Sequence, residues 1–202
     1  MIWRSEMAAI KIKFPVSESE IRNLKVGDEV LISGIMVTGR DAAHKWMVEN
    51  HPTEIADALK DGCIYHCGPI VGKDKKGGYF FVAAGPTTSI REEPFTPEVI
   101  RHYQVKGIIG KGGMGAGTLA ACKEYGAVYL HAIGGLAAEL GHRVKKVKGV
   151  YKLEFGVPEA MWVLDVEDFP TVVTMDSHGN SLHDIVEADS GKIRDSLIGI
   201  AK

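Results

Sequence analysis

Gly85-Pro-Thr-Thr-Ser-Ile-Arg-Glu-Glu93 and, after a break at Pro94 and Pro97, Val105-Lys-Gly-Ile-Ile-Gly-Lys-Gly-Gly-Met-Gly115 form the stretch on which the fold turns. Each half opens on a short apolar run that ends in glycine, YFFVAAG (79–85) and VKGIIG (105–110). Such runs read as strands feeding loops. Each loop carries a cation, Arg91 in the first and Lys111 in the second. Open α/β sheets collect their ligands at the carboxyl ends of strands. Two such loops with hydroxyls and fixed positive charge predict a site for a small anion.

Outward from there, the chain reads as one mixed α/β domain over residues 1–202. Ile10–Phe14 alternates apolar and basic residues as a half-buried strand does, and Pro15 ends it. SESEIRNL (17–24) reads as a short helix or turn, with acids in its first turn. Gly27-Asp28 is a turn, with strands Glu29–Ser33 and Ile35–Thr38 around Gly34, the pattern of a hairpin lead-in. Asp41 is placed to cap a helix through AAHKWMVEN, and a second helix runs from Thr53 to a Gly62 cap. DKKGG (74–78) is a hairpin tip. Thr96 and Pro97 open a helix, and Ala116–Tyr125 forms another that Gly126 stops. AVYLHAIGG (127–135) is a buried strand, and the lysines at 145, 146 and 148 mark a solvated face. WVLDVEDFPTVVTMDSHGN (162–180) gives two strands around Pro170, and a polar, weakly helical tail follows from Ser181.

Composition narrows the function. A net charge of −2 gives no bulk positive field for nucleic acid or an anionic membrane. No apolar segment is long enough to span a bilayer, and MIWRSEMAAIKIKFP lacks the apolar core of a secretory signal. Three cysteines, Cys63, Cys67 and Cys122, fit a reducing cytoplasm. The spacing of the first two matches no usual zinc or redox motif, so no metal is expected on them. The 24 glycines fall between apolar runs and mark turns.

Gly110-Lys-Gly-Gly-Met-Gly115 fits G-x-G-x-x-G, but the next strand lacks the terminal acid that would hold a ribose, and a P-loop's G-K-[ST] is absent. A helix N-terminus beside Lys111 remains, a modest anion site. Singly, the other candidates have ordinary readings. Thr87 and Thr88 are able to cap a turn, Arg91 to pair with Glu92 or Glu93 on the surface, Arg40 and Asp41 to pair at a helix start, and His44 to sit satisfied in the core.

Together, GRDAAH (39–44), GPTTSIR (85–91) and GKGGMG (110–115), in that order, resemble the beta region of the class I fumarases, an iron–sulfur hydro-lyase family that includes the L-tartrate dehydratases. EFGVPEAMWVLDVEDFP (154–170) and TMDSHGNSL (174–182) are similar to the family's closing segment, so the likeness spans about Ile10 to Val186. It implies a swivelling β/β/α fold with a mixed sheet. It implies a [4Fe–4S] cluster held by a separate alpha subunit and not by this chain, whose cysteines do not match the cluster ligands. The chain would then be a cytoplasmic beta subunit in a hetero-oligomer, or a homo-oligomer of this chain when isolated. Its substrate would be a small dicarboxylate: fumarate and L-malate, with L-tartrate as the alternative inside the family and a non-catalytic anion-binding module outside it. By the resemblance, Arg40, Arg91 and Lys111 bind the carboxylates, Thr87 is the base with Lys111 activating it, and Asp41 and His44 support Arg40. Arginine suits such a substrate because its fork matches a carboxylate bidentately.

Overall fold

The computed structural model describes residues 9–199. The absence of a signal was read partly from residues 1–8, which lie outside that range, as do residues 200–202 of the polar tail.

Three parallel strands carry the site: β2 (Glu29–Thr38), β3 (Cys63–Tyr65) and β6 (Gly107–Gly110), with β1 (Ile10–Phe14) beside the first half of β2 and β7 (Val128–His131) beside β6 extending the parallel set. The long β9 (Met161–Met175) runs antiparallel to β7 on one edge and to β2 on the other. The sheet therefore closes on itself through β2–β3–β6–β7–β9–β2, with β1 and β8 (Val144–Tyr151) as flanks. Between β3 and β6 the chain makes a separate hairpin, β4 (Ile70–Lys73) and β5 (Tyr79–Ala83), whose tip is the expected DKKGG turn.

Period-two alternation in the parallel strands explains the two cores. Tyr65, Ile109, Val128 and Leu130 point inward with Phe14, Phe169 and Trp162. Their neighbours Ile64, Ile108 and Tyr129 point outward to α2 (Asp41–Asn50), α4 (Thr96–Tyr103) and α5 (Ala116–Tyr125), where Met47, Val99, Ile100 and Cys122 meet them. Strands buried on both faces are what parallel crossovers produce. The fold is mixed α/β with a mixed sheet, as expected.

Four local expectations are corrected. Gly27-Asp28 does turn, but it joins α1 (Glu18–Arg22) to β2, so β1 and β2 are parallel and not a hairpin. The Ser17 capping box makes α1 a true helix, and a helix between strands is a crossover. The helix expected from Thr53 is a single turn, α3 (Ala56–Leu59), whose cap is Lys60 and not Gly62. The chain does not reverse at Pro170. Asp168 takes a left-handed φ of 47°, and β9 continues to Met175 because β2 holds it through the break. At α4, Phe95 occupies the cap position, and Thr96 Oγ1 donates to the Glu92 carbonyl at 2.8 Å.

Candidate functional site

The carboxyl ends of the parallel strands converge. β2 ends at Thr38 and passes to Arg40, β3 to His66, and β6 to Lys111. Backbone hydrogen bonds extend the sheet past its formal ends: Gly39 N–H donates to the Tyr65 carbonyl at 2.9 Å and His66 N–H to Ile109 at 2.8 Å. Thr87-Thr88-Ser89 is laid in beside them. Thr87 N–H donates to His66 at 2.7 Å, Lys111 N–H to Thr87 at 3.2 Å, and Ser89 N–H to Lys111 at 2.9 Å. The two loops singled out in the sequence are thus adjacent strand extensions, and Thr87 and Lys111 are backbone partners.

Arg40 precedes α2 and is fixed by the segment that leads into β9, the antiparallel neighbour of β2. Glu159 forms an ion pair with Arg40 Nη1 at 3.2 Å and accepts a hydrogen bond from the Ala42 amide at 3.2 Å. Glu159, and not Asp41, therefore satisfies the first turn of α2; Asp41 is the first helical residue and makes no cap hydrogen bond. Thr38 Oγ1 ties β2 to the start of β9 by donating to Ala160 O at 3.2 Å and accepting from the Trp162 amide at 3.0 Å. Gly68 leaves the space for Arg40, since a Cβ there would lie 2.7 Å from Nη1.

Arg91 sits in a 3-10 turn (Ser89–Glu92) and pairs through Nη2 with Asp41, which joins α2 to the GPTT loop. Burial works against the Asp41 charge, yet its interaction with Glu92 and the Arg91 guanidinium outweigh it and hold the carboxyl below its usual range. Glu93 is neither a surface partner for Arg91 nor idle. Its carboxylate accepts from Gly115 N at 2.8 Å, Thr118 N at 3.0 Å and Thr118 Oγ1 at 2.6 Å, and so caps α5. Lys111 is half-buried, with no carboxylate within ion-pair distance among the described residues.

His44 is fully buried, and its Nδ1–H donates to the Arg40 carbonyl at 3.0 Å. Burial pushes the imidazole down to about 4, so it is neutral at pH 7. Its ring packs edge-on to His66 at 4.9 Å. His66 is depressed by burial and then by His44, and it shares a 2.9 Å hydrogen bond with Ser89 Oγ, which also accepts from Tyr129 OH at 2.9 Å.

Buried polar atoms without a hydrogen-bond partner mark the centre. Among the described residues these are Arg40 Nε, Asp41 Oδ1, His44 Nε2, His66 Nε2, Thr87 Oγ1, both Glu92 oxygens and Ser177 Oγ. All but the last belong to this site. Folded proteins pair nearly all such atoms; Asp41 and Glu92 face each other, while Arg40 Nε, His44 Nε2, His66 Nε2 and Thr87 Oγ1 are left in one place for a polar partner.

Residues 3–186 match the family model described as "Fumarase C-terminus". The chain belongs to the Fumarase C-terminus family. It is 51% identical over 187 residues to a "Putative fumarate hydratase class I" of Geobacillus stearothermophilus, covering 92% of this chain but only 36% of that protein. It is 40% identical to a "Putative L(+)-tartrate dehydratase subunit beta" of Methanocaldococcus jannaschii, over 92% of this chain and 96% of that one. It is 36% identical to the "L(+)-tartrate dehydratase subunit beta" of Escherichia coli K12, over 83% of each chain.

Arg40, Asp41, His44, Thr87, Arg91 and Lys111 all lie in this one region of the Fumarase C-terminus chain. The sequence reading missed His66, Ser89, Glu92, Tyr129 and Glu159. Ser89 and Glu92 stood inside the quoted motif. The others are brought in by pairing between distant strands. The cysteines do not fit an iron–sulfur cluster: all three are free and buried, and burial raises each thiol, Cys122 to about 12. They are not among the groups of side chains close enough to share a metal; the described residues that are, His51, Glu98 and His102, lie at the opposite end of α2 from Arg40. No described helix is long and apolar enough to cross a membrane.

Proposed function

We propose that this chain is the beta subunit of a [4Fe–4S]-dependent hydro-lyase that interconverts fumarate and L-malate in the cytoplasm. The convergence of Arg40, Arg91 and Lys111 on the set of unpartnered buried atoms carries the reading. The cluster would belong to an alpha subunit, because the three cysteines do not come together here: Cys63 and Cys67 are buried in one core and Cys122 in the other. The buried thiols also suit a reducing compartment.

In this reading the chain supplies one domain that binds and orients the dicarboxylate. Glu159 holds Arg40 and Asp41 holds Arg91 by one edge each, which leaves guanidinium N–H groups to take the substrate carboxylates. Lys111 adds a charge with no carboxylate to neutralise it. Thr87 is the base in this reading: its Oγ1, carrying alkoxide character that the Lys111 charge stabilises, takes the carbon-bound proton of malate and becomes the neutral hydroxyl, and a cluster on the alpha subunit would supply the Lewis acid for the departing hydroxyl. The same cations stabilise charge as it develops on the neighbouring carboxylate.

A second reading, an L-tartrate dehydratase beta subunit, is favoured by the two relatives that carry that name and match over most of their own length. The test is anaerobic reconstitution with a cluster-loaded alpha subunit, following fumarate by its ultraviolet absorbance and L-tartrate dehydration in parallel. Fumarate turnover that needs both chains is expected. Tartrate turnover alone moves the substrate to the second reading. A formed complex with a loaded cluster and neither activity overturns both, and stoichiometric iron and sulfide on the purified single chain overturns the division between subunits.

A further inference from the structure

We propose that Glu92 is a positioning residue that keeps its proton and donates it to Asp41, so that the Arg91 guanidinium answers one carboxylate and not two. The role in catalysis rests on the proposed hydro-lyase reading; the proton on Glu92 does not.

Three observations carry it. Glu92 is entirely inaccessible to solvent, and neither of its oxygens has a donor among the described residues. An ionised carboxylate in that position would be a buried, unpaired charge, which folded proteins avoid by taking up a proton. Asp41 has the matching defect: Oδ2 accepts from Arg91, but Oδ1 is buried with no donor. One proton on Glu92, directed at Asp41, removes the buried unpaired charge and pairs one Glu92 oxygen with Asp41 Oδ1, leaving the second Glu92 oxygen as a neutral acceptor. The two carboxyl groups lie within hydrogen-bonding reach of each other, and the backbone of Glu92 is locked because its carbonyl accepts from the Phe95 amide at 3.0 Å and from Thr96 Oγ1 at 2.8 Å.

The surrounding groups agree. Facing Glu92 are Asp41 from α2, Arg91 from its own turn, and Tyr129 from β7, whose phenol burial keeps protonated. His44 and His66, the nearby imidazoles, are held neutral by burial. Burial, then the hydrogen bond and charge of Asp41, push the Glu92 acid up to about 8, while Asp41 stays ionised. At neutral pH the site then holds three cations against the carboxylates of Asp41 and Glu159, leaving a surplus positive charge for a dianion. Ionisation of Glu92 would cancel that surplus and give Arg91 a second internal partner.

The experiment compares wild type with Glu92→Gln, which keeps a donor and cannot ionise, and with Glu92→Met should the glutamine variant fail to fold. On the isolated chain, infrared difference spectra are expected to show the carbonyl stretch of a buried carboxylic acid that disappears as pH rises through about 8 and is missing from the variant. Stability must follow with a definite sign. The folded-state value is raised above the roughly 4.3 of an unfolded glutamate, so the folded chain binds the extra proton between those limits. Wild type therefore loses stability relative to Glu92→Gln as pH rises across that window, and the gap is constant above it. In the assembled enzyme, KM for the dicarboxylate is expected to climb on the order of tenfold between pH 7 and 9 in wild type and to lose that rise in Glu92→Gln; Glu92→Ala, which has no donor, raises KM throughout.

A stability gap that does not change with pH, or no titrating acid band, overturns the proton assignment. A titrating band with parallel KM profiles overturns the positioning role. Should the complex turn over neither substrate, the hydro-lyase reading and the role in catalysis fall together, and the isolated-chain measurements still decide the proton.

Discussion

Arg91→Ala and Lys111→Ala in the assembled enzyme each lower kcat/KM by at least about 100-fold, the scale of losing one preorganised electrostatic contact. Lys111 is the sharper case. It is half-buried, on the strand extension beside Thr87, and no described carboxylate lies close enough to spend its charge. Its loss removes attraction for the dianion and the cation nearest the proposed proton acceptor, so both KM and kcat move. Arg91 is held by Asp41, and its removal also leaves Asp41 without its ion-pair partner. Arg91→Lys keeps the charge and loses the fork, and recovers only part of the activity. Steady-state kinetics on the reconstituted complex checks this, and a loss smaller than a few-fold in either alanine variant removes that residue from the site.

Gly110→Ala is expected to damage the site without touching a charge. A Cβ at residue 110 would lie 1.9 Å from Ser89 Oγ and 3.2 Å from His66 Nδ1. Neither neighbour can step aside easily, because Ser89 is buried, bonded to both His66 and Tyr129, and its amide donates to Lys111. Overpacking of this kind costs about 1–3 kcal/mol, and the displaced strand extension carries Thr87 and Lys111 with it. Denaturant unfolding of the isolated chain reads the first effect, and activity of the complex the second. Ser89→Gly removes the obstructing hydroxymethyl group, so the double variant should recover stability relative to Gly110→Ala. A coupling of at least about 1 kcal/mol is expected between residues in such contact. Strictly additive effects would show that the two positions do not press on each other.

The parts of this molecule that local chemistry decides were legible. The helix Ala116–Tyr125 ends where Gly126 takes a left-handed conformation, and the glycine-ended strands lead into loops that meet. What was not legible was decided by partners far away in the chain. Asp168-Phe169-Pro170 looks like a reversal, but β2 pairs across it, with Ile32 opposite Phe169 and Leu31 opposite Pro170, and keeps the strand going. Arg-Glu-Glu at 91–93 reads as a solvated charge cluster. Packing of the turn against α2 buries the middle residue, and the start of α5 recruits the last. Arg40 was visible as a cation after a strand, while its partner Glu159 is far away in the chain and is brought over by the pairing of β9 with β2, which closes the ring.

That closure also settles which strands are exposed to strangers. Among the described residues, β1 and β8 each have one ladder partner, in the ring, and an edge without a ladder partner is the kind on which two molecules can zip together into aggregates. Both are studded with outward-facing lysine: Lys11 and Lys13 in β1, and Lys145, Lys146 and Lys148 in β8. Lys11, Lys145 and Lys148 reach Asp168, Glu167 and Asp165 of β9, so docking one such edge on another would disturb those ion pairs and strip water from ammonium groups. The basic run beyond residue 144 thus lies where hydrated charge disfavours edge pairing with a neighbouring copy.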